Sequence, residues 1–334
     1  MAAFKQGAGQ RECCKRAFGK PDEWRGEWWD LFHAARELGI LKVVPLVSAE
    51  LGDELQKLYG LESVSVVEAD TQTSDGRILF GQRACEFILE KIEELLKLQL
   101  STIDIALAGG ATTKLCLDNL PEVLPNTERW FKSARDRIHL WNPTVGLDPG
   151  RWEYAAEIQN LSCARILGIP SPNLHLLHGP QYFSTHQEKA QYLQREDVRE
   201  FEKEARERIV MLVASCGAGP SNYCLTVLER CGQEMPSDFK GEIIFNLYDD
   251  RGCPVVYPAP LFTFLPGGDL PARVRAAKRK KQGFISLGVV CGFPDSPTAV
   301  KGEALRAALS TDTPWFNHLV CTDDVARELL RPGR

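Results

Sequence analysis

The chain has 334 residues, 44% of them hydrophobic and 25% charged, with ordinary glycine and proline content, which excludes disordered and fibrous classes and supplies enough apolar material for a real core. Forty basic against 45 acidic residues leave a formal charge of −5, so nothing global attracts nucleic acid and a DNA contact would need a local basic patch. No apolar run of roughly 18 residues occurs and the start, MAAFKQGAGQRECCKR, lacks an apolar signal core, so the expectation is a cytoplasmic protein that does not enter a membrane.

Residues 1–45 differ from the rest: they hold Cys13 and Cys14, Trp24, Trp28 and Trp29, and one helical stretch, EWWDLFHAARELG, closing at Gly39. One helix cannot build its own core, so residues 1–40 read as a helical extension and 41–334 as the main domain. From about residue 61 short apolar runs alternate with amphipathic stretches. Strands are predicted at ESVSVVEA, IDIALA, RIHLWNP, NLHLLH, IVMLVASC, GEIIFNLY, FISLGVV and NHLVCT. Between them lie the helical patterns ILFGQRACEFILEKIEELLKL, TTKLCLDNL, YAAEIQNLSCARILG, the charged HQEKAQYLQREDVREFEKEARER, SPTAVKGEALRAALS and TDDVARELLR. This order predicts an α/β protein built on an open, mostly parallel, Rossmann-like sheet with helices on both faces. Ligands in such sheets bind beyond the carboxyl ends of the strands, so the loops leaving those ends are the candidate sites.

The loop Ala108-Gly109-Gly110-Ala111-Thr112-Thr113-Lys114 follows one strand and opens a helix. Its glycines allow close backbone approach, the first helical N–H groups favour an anion, and Thr112, Thr113 and Lys114 add donors, so it reads as a phosphate or carboxylate cradle. It matches neither G-x-G-x-x-G nor the P-loop pattern, and no cofactor is expected. A second loop, 215–222, brings Gly217 and Ser221 to the same sheet edge, and a third, 291–297, precedes a helix holding Lys301. The turn Asp249-Asp250-Arg251-Gly252 is a tight β-turn by composition, with Asp250 a secondary ligand candidate.

Other features read as structural. His175 and His178, three apart on one strand, face opposite ways and cannot hold one metal, so no metal is expected. The run Lys278, Arg279, Lys280 and Lys281 reads as a solvated helix end. The eleven cysteines contain no C-x-x-C and most sit in apolar context, as reduced buried thiols do.

The ordered set of AARELGILKVVPL, LGDELQKLYGLESVSVVEA, AGGATTKLCLDNL, IVMLVASCGAGPSN, GEIIFNLYDDRGCPV and LVCTDDVARELL resembles the sugar-binding effector domain of SorC/DeoR-type bacterial transcriptional regulators over residues 34–332. The resemblance implies a fold of the sugar-phosphate isomerase/CoA transferase-like type with a phosphorylated sugar as effector. It implies that Gly110, Thr112 and Thr113 bind phosphate or sugar hydroxyls, that Lys301 contacts the phosphate, and that the chain forms a homo-oligomer. Such regulators carry a helix-turn-helix ahead of this domain. Here the corresponding helix offers Glu27, Trp28, Trp29 and Asp30, bulky or acidic where phosphate and base contacts are needed, which argues against DNA binding by this chain alone. A sugar-phosphate isomerase, deaminase or lactonase on the same fold is the alternative. Since no D-G-H-I-A-F-N or D-G-H-T-A-S stretch is present and no nucleophile–base pair is readable, the expectation is a sensor and not an enzyme.

Overall fold

Short runs of branched residues bounded by turn chemistry become strands: β1 (Ser63–Val67), β2 (Ile103–Leu107), β3 (Ile138–Trp141), β4 (Leu174–His175), β5 (Ile209–Ala214), β6 (Gly217–Ala218), β7 (Gly241–Ile243), β8 (Asn246–Tyr248), β9 (Ile285–Val290) and β10 (His318–Thr322). The longer amphipathic stretches become helices: α1 (Ala49–Tyr59), α2 (Ser74–Lys97), α3 (Ala111–Val123), α4 (Glu128–Ala134), α5 (Ala156–Leu167), α6 (His186–Gln194), α7 (Glu196–Arg208), α8 (Leu270–Lys280), α9 (Thr298–Ala308) and α10 (Asp323–Leu330). The computed structural model describes residues 45–126, 128–145, 152–180, 183, 185–218, 234, 237–255, 270–280, 283–294, 298–310 and 312–331. These all belong to one unit, Pro45–Arg334. The Trp-rich helix, the 40/41 boundary, Ser221 and Lys281 lie outside the described residues.

Seven strands form one parallel sheet in the order β1-β10-β9-β5-β2-β3-β4. β2, β9 and β10 are buried along their whole length, which is why their sequences are continuous apolar runs and not alternating ones. Alternate residues serve opposite faces. Ile103, Ile105 and Leu107 of β2 pack with α2, α3 and α5, whereas Ala106 faces the cluster of Leu55, Trp141, Leu305 and Phe316 on the other side. Helix ends follow local chemistry: the Thr73 hydroxyl accepts from the Gly76 N–H at 3.0 Å to start α2, and Gly60 (φ 60°) and Gly168 (φ 66°) supply the left-handed caps of α1 and α5. Among the described residues, no helix is long and apolar enough to cross a membrane.

NLHLLH is strand only at Leu174–His175, and two further elements depart from the sequence pattern. GEIIFNLY, expected as one strand, folds into the tight hairpin β7–β8, which joins β6 in a separate antiparallel sheet. Its turn residues, Ile244 and Phe245, take φ of 46° and 62°, a conformation that composition points to only when Gly or Asn is present. Here side chains hold it instead. Asn246 Nδ2 donates to the carbonyls of Ile243 and Ile244, and Glu242 Oε2 accepts from the Phe245 N–H at 2.9 Å. The charged stretch from residue 186 to 208, expected as one helix, breaks at Arg195, whose ψ of 140° is extended and whose guanidinium binds Asp197 at 2.6 Å.

Candidate functional site

From β2 the chain passes to β3 on one side and returns as β5 on the other, so the loops after β2 and β5 diverge and leave a crevice at their carboxyl ends. The loop after β2 is shaped by close backbone approach. A Cβ on Gly109 would collide with the Tyr154 carbonyl and lie 2.9 Å from the Ala156 nitrogen. Gly110, at φ 117° and ψ 168°, occupies a region essentially restricted to glycine. Its N–H donates to the Tyr154 carbonyl at 2.8 Å, and its carbonyl accepts from Gln159 Nε2 at 2.9 Å.

Helix α3 starts from this glycine without a capping side chain, so its first-turn N–H groups have no side-chain partner among the described residues. Thr112 and Thr113 sit in that turn, 3% and 2% exposed. The Thr113 hydroxyl is buried and has no hydrogen-bond partner among the described residues, an arrangement that costs roughly 1–3 kcal/mol if nothing binds it. The Thr112 hydroxyl is partnered: it accepts from Ser215 Oγ at 3.3 Å across the crevice. The loops after β2 and β5 therefore meet at Thr112.

Lys301 closes the other side. From the second turn of α9 its side chain runs inward to 8% exposure, and its ammonium donates to the Cys216 carbonyl. Lys301 is thus a buried cation beside the second loop. The remaining two ammonium protons have no protein partner among the described residues. Burial pushes the Cys216 thiol up, with Lys301 opposing it, and burial does the same to Cys291, so neither is a thiolate nucleophile.

The predicted residues thus divide. Gly109, Gly110, Thr112, Thr113, Gly217 and Lys301 stand at or beside the carboxyl-end crevice, Gly217 as the first residue of β6 paired opposite Glu242. Lys114 ion-pairs with Asp118 at 2.7 Å along the exposed face of α3. Asp250 is exposed at the opposite end of the sheet, since its turn packs against Ala307 and accepts the Trp315 Nε1–H through Gly252, beside the start of β9. The structure does not bring it to the cradle. Its composition made the turn recognisable, but the hairpin reverses direction and carries it away.

Sequence reasoning missed Gln159 and Asn160, which face the back of the cradle from α5. Their amide nitrogens hold the Gly110 and Leu107 carbonyls at 2.9 and 2.8 Å, and both amide oxygens are buried without a partner among the described residues. The signal was present as a polar pair inside an otherwise apolar helical pattern.

An open, mostly parallel sheet with a glycine-bearing loop at its topological switch point defines the class: a doubly wound α/β domain, in which ligands bind at that edge of the sheet. Solved structures place that fold more narrowly. The chain is similar to the full-length sorbitol operon regulator SorC from Klebsiella pneumoniae, with 16% identity, a TM-score of 0.62, and coverage of 98% of this chain and 96% of that one. It is also similar to a probable sor operon regulator from Shigella flexneri, at 15% identity and TM-score 0.59, covering 84% of this chain and 99% of that one. A DeoR family transcriptional regulator from Listeria monocytogenes gives 15% identity, TM-score 0.59, and coverage of 84% and 98%. At these identities the likeness is one of fold. No protein-family profile and no curated protein matches the chain.

Proposed function

We propose that this protein is a sugar-phosphate-sensing effector domain of the SorC/DeoR kind, cytoplasmic and homo-oligomeric, with residues 1–40 as a helical extension ahead of it. The carrying observation is a buried Thr113 hydroxyl without a partner among the described residues, at the start of α3, with the Lys301 ammonium bound to the neighbouring loop. Uncapped N–H groups, hydroxyls and an ammonium are the donors an anionic phosphate requires, and the amides of Gln159 and Asn160 support the loop that presents them. The similar solved regulators, described as sor operon and DeoR family regulators, support the sensing role.

Binding without turnover fits the same residues. Lys301 is tethered to a carbonyl and burial raises both nearby thiols, so among the described residues the crevice offers donors and no poised base or nucleophile. Direct DNA contact by the extension is disfavoured by Glu27, Trp28, Trp29 and Asp30. A thermal-shift comparison of matched phosphorylated and free sugars tests the reading. A phosphorylated sugar at 100 times its Kd adds about 2.7 kcal/mol of stability and is recovered unchanged. Equal shifts from the free sugar, or none from either, would remove the phosphate site, and consumed ligand would make the protein an enzyme.

A further inference from the structure

Asp104 on β2, His139 on β3 and His175 on the edge strand β4 come together away from the crevice, on the sheet face that carries Trp141. Register explains the meeting. Asp104 lies directly opposite His139, Trp141 lies opposite His175, and His139 and Trp141 are two apart on one strand and so share a face. The i, i+3 pair His175 and His178 cannot chelate one ion, but the neighbouring strand supplies the second imidazole.

One ligand atom from each of these three residues lies within 4.8 Å of the others. His139 Nδ1 and His175 Nε2 are 2.9 Å apart, close to the spacing of two donors on one tetrahedral ion, which is about 3.3 Å for bonds of about 2.0–2.1 Å. The supporting contacts are those of an oriented site. Trp141 stacks on His175 with centroids 4.0 Å apart and planes 11° from parallel, and its Nε1–H holds Asp104 Oδ1 at 2.9 Å. Thr102 donates to the other carboxylate oxygen at 2.7 Å. Each ligand thus has a contact that fixes its direction or its neighbour's.

What faces the three ligands from outside is itself a cation. Arg208, at the end of α7 and with a side chain 32% exposed, places Nη2 3.1 Å from Asp104 Oδ1 and 3.2 Å from His139 Nδ1. It also reaches Glu204, one turn earlier on the same helix, at 3.3 Å, so a carboxylate is waiting for it if it swings out.

We propose that Asp104, His139 and His175 form a binding site for a zinc-class divalent ion, with Arg208 as the internal cation that the metal displaces onto Glu204. Two imidazoles and one carboxylate suit a borderline-soft tetrahedral ion, with water in the fourth position. No net proton is released: the hydrogen shared between the two imidazole nitrogens moves to His175 Nδ1 as Nε2 takes the metal. The ion would pin β4, which joins β3 through only two paired residues, to the body of the sheet.

The test is a Zn²⁺ titration of the chelator-stripped full chain against a competing chromophoric chelator, on wild type, His139→Gln, His175→Gln and Arg208→Gln, with folding checked by circular dichroism. The expected result is one tight Zn²⁺ per chain, weakened tenfold or more in each histidine variant and tightened roughly tenfold in Arg208→Gln, where the competing cation is gone. Absent binding, binding that survives both histidine substitutions, or binding weakened by Arg208→Gln overturns the proposal. Arg208→Gln is a partly exposed substitution, so the third arm is readable even if a histidine variant fails to fold.

Discussion

Replacing Gly109 with alanine asks whether the cradle is shaped by backbone contact. The added methyl meets the Tyr154 carbonyl, the Ala156 nitrogen at 2.9 Å and the Ala155 carbonyl carbon at 3.3 Å, all main-chain atoms that cannot move aside as a side chain would. Overpacking of this kind costs about 1–3 kcal/mol, and losing the Gly110 to Tyr154 hydrogen bond adds about 1 kcal/mol. Reduced unfolded-state freedom returns about 0.4–1 kcal/mol, leaving a net loss of about 2 kcal/mol, a factor of about 30 in the folded-to-unfolded ratio. Gly110→Ala makes the comparison sharper. Its Cβ meets nothing within 4 Å, so any loss there comes from torsion alone, at φ 117°. Denaturant unfolding with calorimetry of a phosphorylated sugar reads both effects. Gly109→Ala within 0.5 kcal/mol of wild type, with unchanged affinity, would refute the backbone-contact account of the cradle; that margin is roughly the size of an ordinary surface substitution.

Three further outcomes follow from named contacts. Lys301→Met keeps the buried aliphatic stem and removes the ammonium that donates to Cys216, so stability changes by less than about 2 kcal/mol while affinity for a phosphorylated sugar falls about tenfold or more. An equal loss for the free sugar, measured by calorimetry, would contradict the phosphate role. His318, 5% exposed, is pushed by burial from about 6.5 down to about 3, so its 3.6 Å approach to Glu62 is that of a neutral ring and not an ion pair. Because the unfolded chain takes up the proton first, its contribution is complete above about pH 6.5 and is lost as the pH falls toward 3, by about 2 kcal/mol at pH 5. Urea unfolding at several pH values checks this: His318→Gln removes that slope, and an identical slope in wild type and variant would show that another group carries it. The break at Arg195 should tolerate Arg195→Pro, because φ is −60° and ψ 140°, but its N–H bond to Tyr192 is lost; a net change within about 1 kcal/mol in urea unfolding is expected, and a loss above about 3 kcal/mol would argue against the break.

Periodicity carried most of the fold because the central strands are buried on both faces and read as unbroken apolar runs, and because the helices between them keep an amphipathic stripe. It failed where side chains stabilise conformations that composition does not announce. Nothing in Ile244 and Phe245 signals a left-handed turn; Asn246 and Glu242 provide for it from neighbouring positions. The cradle was legible at Gly109, Gly110, Thr112 and Thr113, where strand, glycines and hydroxyls are contiguous. Lys301 could be singled out, but its burial could not be read, because the carbonyl it binds is 85 residues away in sequence. The same limit applies to Gln159, Asn160 and His139, whose partners come from other strands and loops, and to Asp250, whose position depends on a hairpin that the strand pattern conceals.

The central claim, that α3 begins at a phosphate-binding cradle, is tested most directly by Thr113→Val. This substitution removes a buried hydroxyl that has no partner among the described residues and keeps nearly the same shape. Calorimetry and denaturant unfolding on the same preparations should show a variant as stable as wild type or more so, by about 1 kcal/mol, with at least tenfold weaker binding of the phosphorylated sugar. Unchanged affinity in a folded Thr113→Val protein would contradict the account, because the orphaned hydroxyl assigned to the ligand would then have no ligand to serve.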